Sequence, residues 1–292
     1  MSDKVILLNR LPGAGAAYRG AISTARRKPA TTAELPPTVC RVNAVPIDAG
    51  KLAAYRKVCG FSGNKLPITY PQVMAAPLHV HLMSRPGFPF PLLGLVHVGN
   101  RIEQDAPLDP DQAYDITVRP GSTRIVRAGI EFELLTEFAR PGDEPCWRAE
   151  TRIIHRMPTD VDGDSRPAES SIDASVGRYH EIDAPADIGR RYGRVSGDMN
   201  PIHLTAWSAK LLGFKRAIAP GMWSLARCAS LLEAGLATPP AVLEVQFRKP
   251  LFLPGAAALR YQEDDSGIGF ALIGKRRSAV HLSGRLSGSA NA

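Results

Sequence analysis

The chain has 292 residues, 44% hydrophobic and 22% charged, with 36 Lys and Arg against 28 Asp and Glu. That composition is globular and long enough for two ordinary domains, which excludes a disordered or low-complexity protein. The formal charge of +8 favours an acidic partner, and no nucleic-acid-binding motif accompanies it. Among acidic partners this leaves an anionic membrane surface, a nucleotide-bearing substrate or an acidic carrier protein.

The N-terminus carries one apolar run, Val5 to Leu8, four residues where a secretory core needs roughly seven. Arg26-Arg27-Lys28 is followed by Pro-Ala-Thr rather than an apolar segment, so it does not form a twin-arginine signal. Nowhere does the chain approach the ~18 apolar residues of a membrane span. The expectation is a cytoplasmic protein. Residues 1–36 should form a surface strap or be partly disordered, with the basic cluster solvated.

From Thr38 the pattern becomes regular. Thr38 to Ala49 reads as a strand running into a helix start, with Asp48 as N-cap for Leu52 to Val58. Gly60 to Thr69 reads as a loop. Tyr70 to Met83 reads as a buried helix, with a Pro77 that can kink it. Leu95 to Ile102, Tyr114 to Val118, Ser122 to Glu137 and Trp147 to His155 read as strands between turn residues. Met157 to Ser171 has linker composition.

The pattern then begins again. Ser175 to Ala184 echoes Thr38 to Ala49, and Tyr192-Gly-Arg-Val-Ser-Gly-Asp198 echoes Tyr55-Arg-Lys-Val-Cys-Gly-Phe61 at an offset of 137. The apolar stretch from Pro220 echoes the one from Tyr70, with Gly235 placed as its stop. Leu243 to Arg248 matches Val96 to Arg101, and strands at Ala258 to Gln262, Gly267 to Gly274 and Ala279 to Leu286 complete the second copy. The chain therefore reads as a duplicated α+β unit, one long helix wrapped by an antiparallel sheet. The boundaries are 1–36 for the strap, 37–157 for the first copy, 158–174 for the linker and 175–292 for the second copy.

Chemistry-bearing residues concentrate in the second copy. Asp198, Asn200 and His203 fall within six residues, between Gly197 and Pro201, in what reads as a loop or sharp turn. An acid and an imidazole in one small site can hold a water and move protons in both directions, with Asn200 orienting either partner. A plainer reading stands beside it: Asp198 and Asn200 as turn formers, His203 as a surface residue. The following helix shifts the balance between them. Pro220 suits a first helical turn, and the Gly221 N–H beside it can stabilise a developing oxyanion. An acid–base turn leading to a free helix start suits chemistry next to a carbonyl.

The stretch Tyr192 to His203 followed by Gly213-Phe-Lys-Arg-Ala-Ile-Ala-Pro220-Gly-Met resembles the signature of the MaoC-like, (R)-specific enoyl-thioester hydratases and dehydratases. That resemblance implies a double hot-dog fold, covering most of the chain beyond residue 36. It implies Asp198 and His203 as the catalytic pair, Asn200 as their orienting residue and Gly221 as the backbone oxyanion donor. Pro220 departs from the pattern, which usually has His there. Phe61 replaces the acid in the first copy, and Ser62-Gly-Asn-Lys-Leu-Pro supplies no His, so that copy should shape an acyl pocket rather than react.

Around the motif, Tyr192, Ser196, Met222, Lys215, Arg216 and Arg248 are candidate substrate contacts. Tyr192 and Ser196 also fit a purely structural role, and the cations could meet coenzyme A phosphates or an acidic acyl carrier. The implied partner is an acyl-CoA or acyl-carrier substrate, and a homodimer stays open. His79-Val-His81 cannot share a helix face, so packing or hydrogen bonding is expected there rather than a metal. Cys40, Cys59, Cys146 and Cys228 lack metal-type spacing and read as reduced thiols. No nucleotide or metal motif occurs, so no cofactor is expected beyond the pantetheine of the substrate itself. Two rivals remain: a thioesterase on the same fold, and a non-catalytic acyl-thioester binding subunit.

Overall fold

Strand β1 (Lys4–Leu8) pairs in parallel with β2 (Thr38–Pro46), so the N-terminal segment is held by a sheet edge. Arg27 anchors it further by donating to the carbonyls of Met83, Ser84, Arg85 and Phe90, where solvation alone was expected. The fold comes from a computed structural model, which describes residues 4–13, 19–20, 23–31, 34–161, 177–233, 239, 241–275 and 279–288.

Beyond β2, the Asp48 carboxylate accepts from the Lys51 N–H at 2.9 Å and opens α1 (Ala49–Cys59), as the sequence predicts. Gly60 closes that helix at φ 80, where glycine carries no Cβ penalty. Helix α2 (Tyr70–Ser84) contains Pro77. Strands β3 (Leu95–Gln104), β4 (Ala113–Val126), β5 (Gly129–Ala139) and β6 (Pro145–Arg156) follow. The second copy runs β7 (Arg178–Ala184), α3 (Ile188–Ser196), α4 (Pro201–Leu204), α5 (Ala206–Leu211), α6 (Gly221–Leu231), β8 (Ala241–Phe247), β9 (Gly255–Asp264), β10 (Gly267–Gly274) and β11 (Val280–Gly288).

One strand boundary needed correction. The sequence suggests a break between Val118 and Ser122, but β4 runs on to Val126 and the turn comes at Arg127-Ala128. Pro120 and Gly121 sit at a register shift in the β4–β5 pairing, a bulge that absorbs the missing proline N–H without ending the strand. Helix α6 ends at Leu231 with Leu232 as its cap; Gly235 lies outside the described residues, as does Ser175.

The chain forms two compact units. One comprises Met1–Ile47, Met74–Arg101 and Asp111–Ala168. Its strands run in the order β1-β2-β4-β5-β6-β3. α2 is tied to this sheet by a 2.7 Å hydrogen bond between His79 Nε2 and Thr136 Oγ1. Burial pushes the His79 pKa down to about 3, with a smaller contribution from His97. His79 is thus committed to a hydrogen bond, one of the two roles expected there. Tyr114, Phe132, Phe138 and Trp147 fill this core with no exposed surface.

The other unit comprises Asp48–Val73, Ile102–Pro110 and Glu169–Ala292. Its strand order is β8-β11-β10-β9-β7. The three pairings β8–β11, β10–β11 and β9–β10 are antiparallel, as is β7–β9. Helix α1, from the first sequence copy, belongs to this unit. Trp223 Nε1 on α6 donates to the Val58 carbonyl at 3.2 Å and Arg227 Nη1 to that of Cys59 at 3.4 Å. These are carbonyls of the last turn of α1, which has no later turn to satisfy them. Cys59 and Cys228 are buried free thiols. Among the described residues, no helix is long and apolar enough to cross a membrane.

Candidate active site

The site is assembled by the turn that ends α3. Gly197 takes φ 78, and its N–H bonds back to the Gly193 carbonyl at 2.9 Å, the geometry Gly60 has 137 residues earlier. Ser196 Oγ donates to the Tyr192 carbonyl at 2.8 Å and accepts from the Asp198 N–H at 3.1 Å, fixing the next backbone. Asp198 Oδ1 then accepts from the Asn200 N–H at 3.2 Å, and Asn200 Oδ1 accepts from the Ile202 N–H at 3.3 Å. Asn200 is therefore the N-cap of the single-turn helix α4, with Pro201 in the first turn. The segment expected as a loop contains this turn of helix because Pro201 favours a helix start as well as it opposes a helix interior.

α4 exists to place one side chain. His203 is 7% exposed, and its Nδ1 lies 2.8 Å from the Ile218 carbonyl oxygen. A carbonyl only accepts, so Nδ1 carries the hydrogen, and in the neutral ring Nε2 presents a lone pair. That Nε2 stands 3.6 Å from Asp198 Oδ2, the carboxylate oxygen not engaged by Asn200. The histidine side chain is 9% exposed and the aspartate side chain 38%, so the pair opens outward on the acid's side.

The segment Ala217–Ala219 is gripped on both edges. Ile218 N–H donates to the Ile202 carbonyl at 3.0 Å, Ala219 N–H to that of Leu251 at 2.8 Å, and Leu253 N–H to that of Ala217 at 2.8 Å. It leads directly into α6. Pro220 is the N-cap and Gly221 the first helical residue, one position later than the sequence reading placed the proline. No hydrogen bond from the Gly221 N–H occurs among the described residues. Gly221 follows Ile218 by three positions, so the chain holds that N–H within roughly 11 Å of the carbonyl that orients His203. A Cβ at 221 would stand 3.1 Å from Phe247 Cε1, tighter than ordinary contact, so glycine lets the ring close against the helix start.

Two residues of the site escaped the sequence reading. A Cβ on Gly189 would overlap the carbonyl oxygen of His203 and lie 2.7 Å from its carbonyl carbon. A Cβ on Gly193 would lie 2.7 Å from the Asp198 carbonyl oxygen and 3.2 Å from Met199 Sδ. Four apart on α3, the glycines form the bare face on which the acid–base turn rests. The duplication held the signal: at the 137-residue offset Gly189 faces Leu52, and Gly193 faces Arg56. Only the copy with the acid and imidazole has the glycines. In the other, Phe61 is buried and stacks on Tyr55 with ring centroids 6.2 Å apart.

The remaining candidates separate by burial. Tyr192 is 1% exposed and lies 6.2 Å from the Tyr55 ring; burial pushes its hydroxyl pKa well up, with lesser contributions from Cys59 and Asp198. It and Ser196 support the turn from inside. Met222 is half-buried in the first turn of α6. Lys215 and Arg216 are exposed, the Arg216 guanidinium 5.6 Å over the Phe252 ring. Arg248 is half-buried just past β8, its backbone N–H bonded to the His281 carbonyl at 2.8 Å.

Residues 166–283 match the MaoC like domain. Over 264 residues the chain is 34% identical to 3-hydroxyacyl-thioester dehydratase X of Mycobacterium tuberculosis, covering 88% of this chain and 91% of that protein. The chain belongs to the MaoC-like dehydratase family. The crystal structure of HtdX from the same organism superposes with a TM-score of 0.74 at 31% identity, covering 86% of this chain and 99% of that one. A MaoC-like dehydratase from Phytophthora capsici has the same fold, with a TM-score of 0.73 at 20% identity, covering 89% and 97%. The architecture is thus the hot-dog of these dehydratases, as the family resemblance implies.

Proposed function

We propose that the protein is a hydro-lyase that reversibly hydrates trans-2-enoyl thioesters to (R)-3-hydroxyacyl thioesters in fatty-acid metabolism. The observation that carries the reading is the pairing of a tautomer-fixed His203 with the unspent oxygen of Asp198, 3.6 Å apart. Two acceptors at that separation can each take one hydrogen of a single water, which holds its oxygen lone pairs away from the pair and toward a substrate. Membership of a dehydratase family supports the same chemistry.

In the hydration direction the water oxygen bonds to the β-carbon while the pair takes its proton. The electron pair of the alkene moves through the α-carbon to the thioester oxygen. The Gly221 N–H donates to that oxygen, more strongly as enolate charge grows. The pair returns a proton to the α-carbon on the same face, the enolate collapses, and the pair ends as it began. In net terms OH reaches the β-carbon and H the α-carbon. The neutral-ring tautomer gives Nε2 the accepting role at the start. Asn200 acts through the cap of α4 rather than on the reacting atoms.

The test is turnover of crotonyl-CoA with loss of enoyl absorbance and free thiol followed together. Asp198→Asn and His203→Ala should each lower kcat by about 10² or more, the usual worth of positioned acid–base groups. Near-normal hydration by either variant refutes the assignment. Release of free thiol by the wild type moves the protein to the thioesterases, and binding without any turnover makes it a carrier of thioesters.

A further inference from the structure

Helices α1 and α3 pack side by side in the unit that carries the acid–base pair, and the groove between them is basic. It encloses about 440 Å³ and is flanked by Lys51, Lys57, Arg191 and Arg194 over a floor that includes Val58 and Val195. Neither helix contains an acid. Among the described residues none of the four cations has a carboxylate partner, and Asp48, at the head of α1, spends an oxygen on the Lys51 N–H. Four unneutralised cations beside one apolar trough are more than solvated surface requires.

The groove also respects the duplication. Lys57 and Val58 stand 137 residues before Arg194 and Val195, so matched cations border matched valines. On α3, Arg191 lies about 160° around the helix from both Gly189 and Gly193. The helix that rests the acid–base turn on one face thus offers cations on the opposite face, leaving the reacting groups uncovered by anything docked there.

We infer that this groove is the docking surface for an acidic amphipathic helix of a carrier protein that presents the acyl thioester. It rests on the thioester reading for the identity of the cargo, but not for the contact itself. An apolar floor offers nothing to a phosphate but accepts the apolar ridge of a helix. Lys51 and Lys57, six positions apart on α1 and about 9 Å along its axis, meet carboxylates on successive turns of such a helix. The formal charge of +8 draws the same partner from a distance.

The experiment uses the full chain and a fluorescently labelled acyl carrier protein, with anisotropy for binding and crotonyl-carrier and crotonyl-CoA for turnover. The variants are the pair Lys57→Glu with Arg194→Glu, and Arg191→Glu alone. Wild-type binding should weaken steeply with salt. Either variant should raise the carrier Kd and lower kcat/KM on crotonyl-carrier by about tenfold or more, with crotonyl-CoA turnover within about twofold of wild type. Unchanged carrier binding overturns the inference. So does an equal rise in KM for crotonyl-CoA, which gives the groove to nucleotide phosphates, or lost binding to phosphatidylserine vesicles with carrier binding intact, which gives it to a membrane. A wild type that turns over neither thioester yet loses carrier anisotropy on charge reversal sinks the proposed reaction and keeps the docking surface.

Discussion

Gly189→Ala should separate catalysis from folding. The new methyl group overlaps the His203 carbonyl oxygen and stands 3.2 Å from the His203 Cβ, so the obstacle is backbone rather than a side chain that can swing aside. Relief requires α3 and α4 to part by roughly 1 Å, since an ordinary carbon–oxygen contact is well over 3 Å. The peptide at His203 carries two tasks, because its N–H bonds to the Asn200 carbonyl at 3.0 Å and its ring is held at Ile218. Moving it shifts Nε2 relative to Asp198.

The two consequences differ in size. Overpacking costs about 1–3 kcal/mol, and replacing glycine by alanine inside a helix returns about 1 kcal/mol, so the net stability loss is about 0–2 kcal/mol. In a chain of this length that is a fall of a few degrees in Tm, at about 2–4 °C per kcal/mol. A ~1 Å displacement of a positioned catalytic group can cost about 10² in rate. Thermal melting by circular dichroism should therefore show a folded protein whose hydration of crotonyl-CoA is slower by about 10². Wild-type kcat at any Tm would refute the claim that the bare face of α3 sets the geometry of the pair.

Asn200→Ser keeps an N-cap oxygen and should retain most of the activity, whereas Asn200→Ala loses a cap worth about 0.5–2 kcal/mol. A serine variant as slow as alanine would mean that the amide itself touches the substrate. Ser196→Ala removes the acceptor for the Asp198 N–H and should lower kcat by about fivefold, equivalent to the ~1 kcal/mol of a net hydrogen bond, with little change in KM; an unchanged kcat would show that the turn holds without it. His79 titrates at 6.5 when unfolded and about 3 when folded, so its contribution is complete above 6.5 and is lost as pH falls toward 3. Each pH unit within that window costs about 1.4 kcal/mol, so urea midpoints at ~pH 7.5 and ~pH 5.5 should differ less in His79→Gln than in wild type. Identical pH slopes would show that folding leaves the proton affinity of His79 unchanged.

The sequence carried the elements well because local signals agreed with tertiary ones. Asp48 is a good cap by residue type and it caps α1; Gly60 and Gly197 are glycines where the chain takes positive φ. The pair Asp198 and His203 was legible because five residues of chain cannot carry them far apart. What the sequence hid depended on contacts between distant segments. Nothing local to Gly189 says that a carbonyl fourteen residues on will lie against it, and nothing near Ile218 marks its carbonyl as the partner of an imidazole. The strand break expected near Gly121 failed for a related reason: a proline-glycine step reads as a turn until a neighbouring strand supplies the bulge that carries it through.

The duplication explains more of the site than the motif does. The unit with the acid–base pair takes Asp48–Val73, including α1, from the copy that lacks the pair. Trp223 and Arg227 of α6 close the end of α1, and Arg227 stands where any side chain at Gly60 would have to be. Position 61 therefore has a packing role of its own. Phe61 fills an aromatic cluster with Tyr55, and Tyr55 in turn packs against Tyr192 at the root of the Asp198–His203 turn. A carboxylate at 61 would put a charge into that apolar cluster, where desolvation opposes it. Gly189, Gly193, Asp198 and His203 sit together in one copy, and the corresponding turn of the other, through Phe61 and Tyr55, packs behind Tyr192.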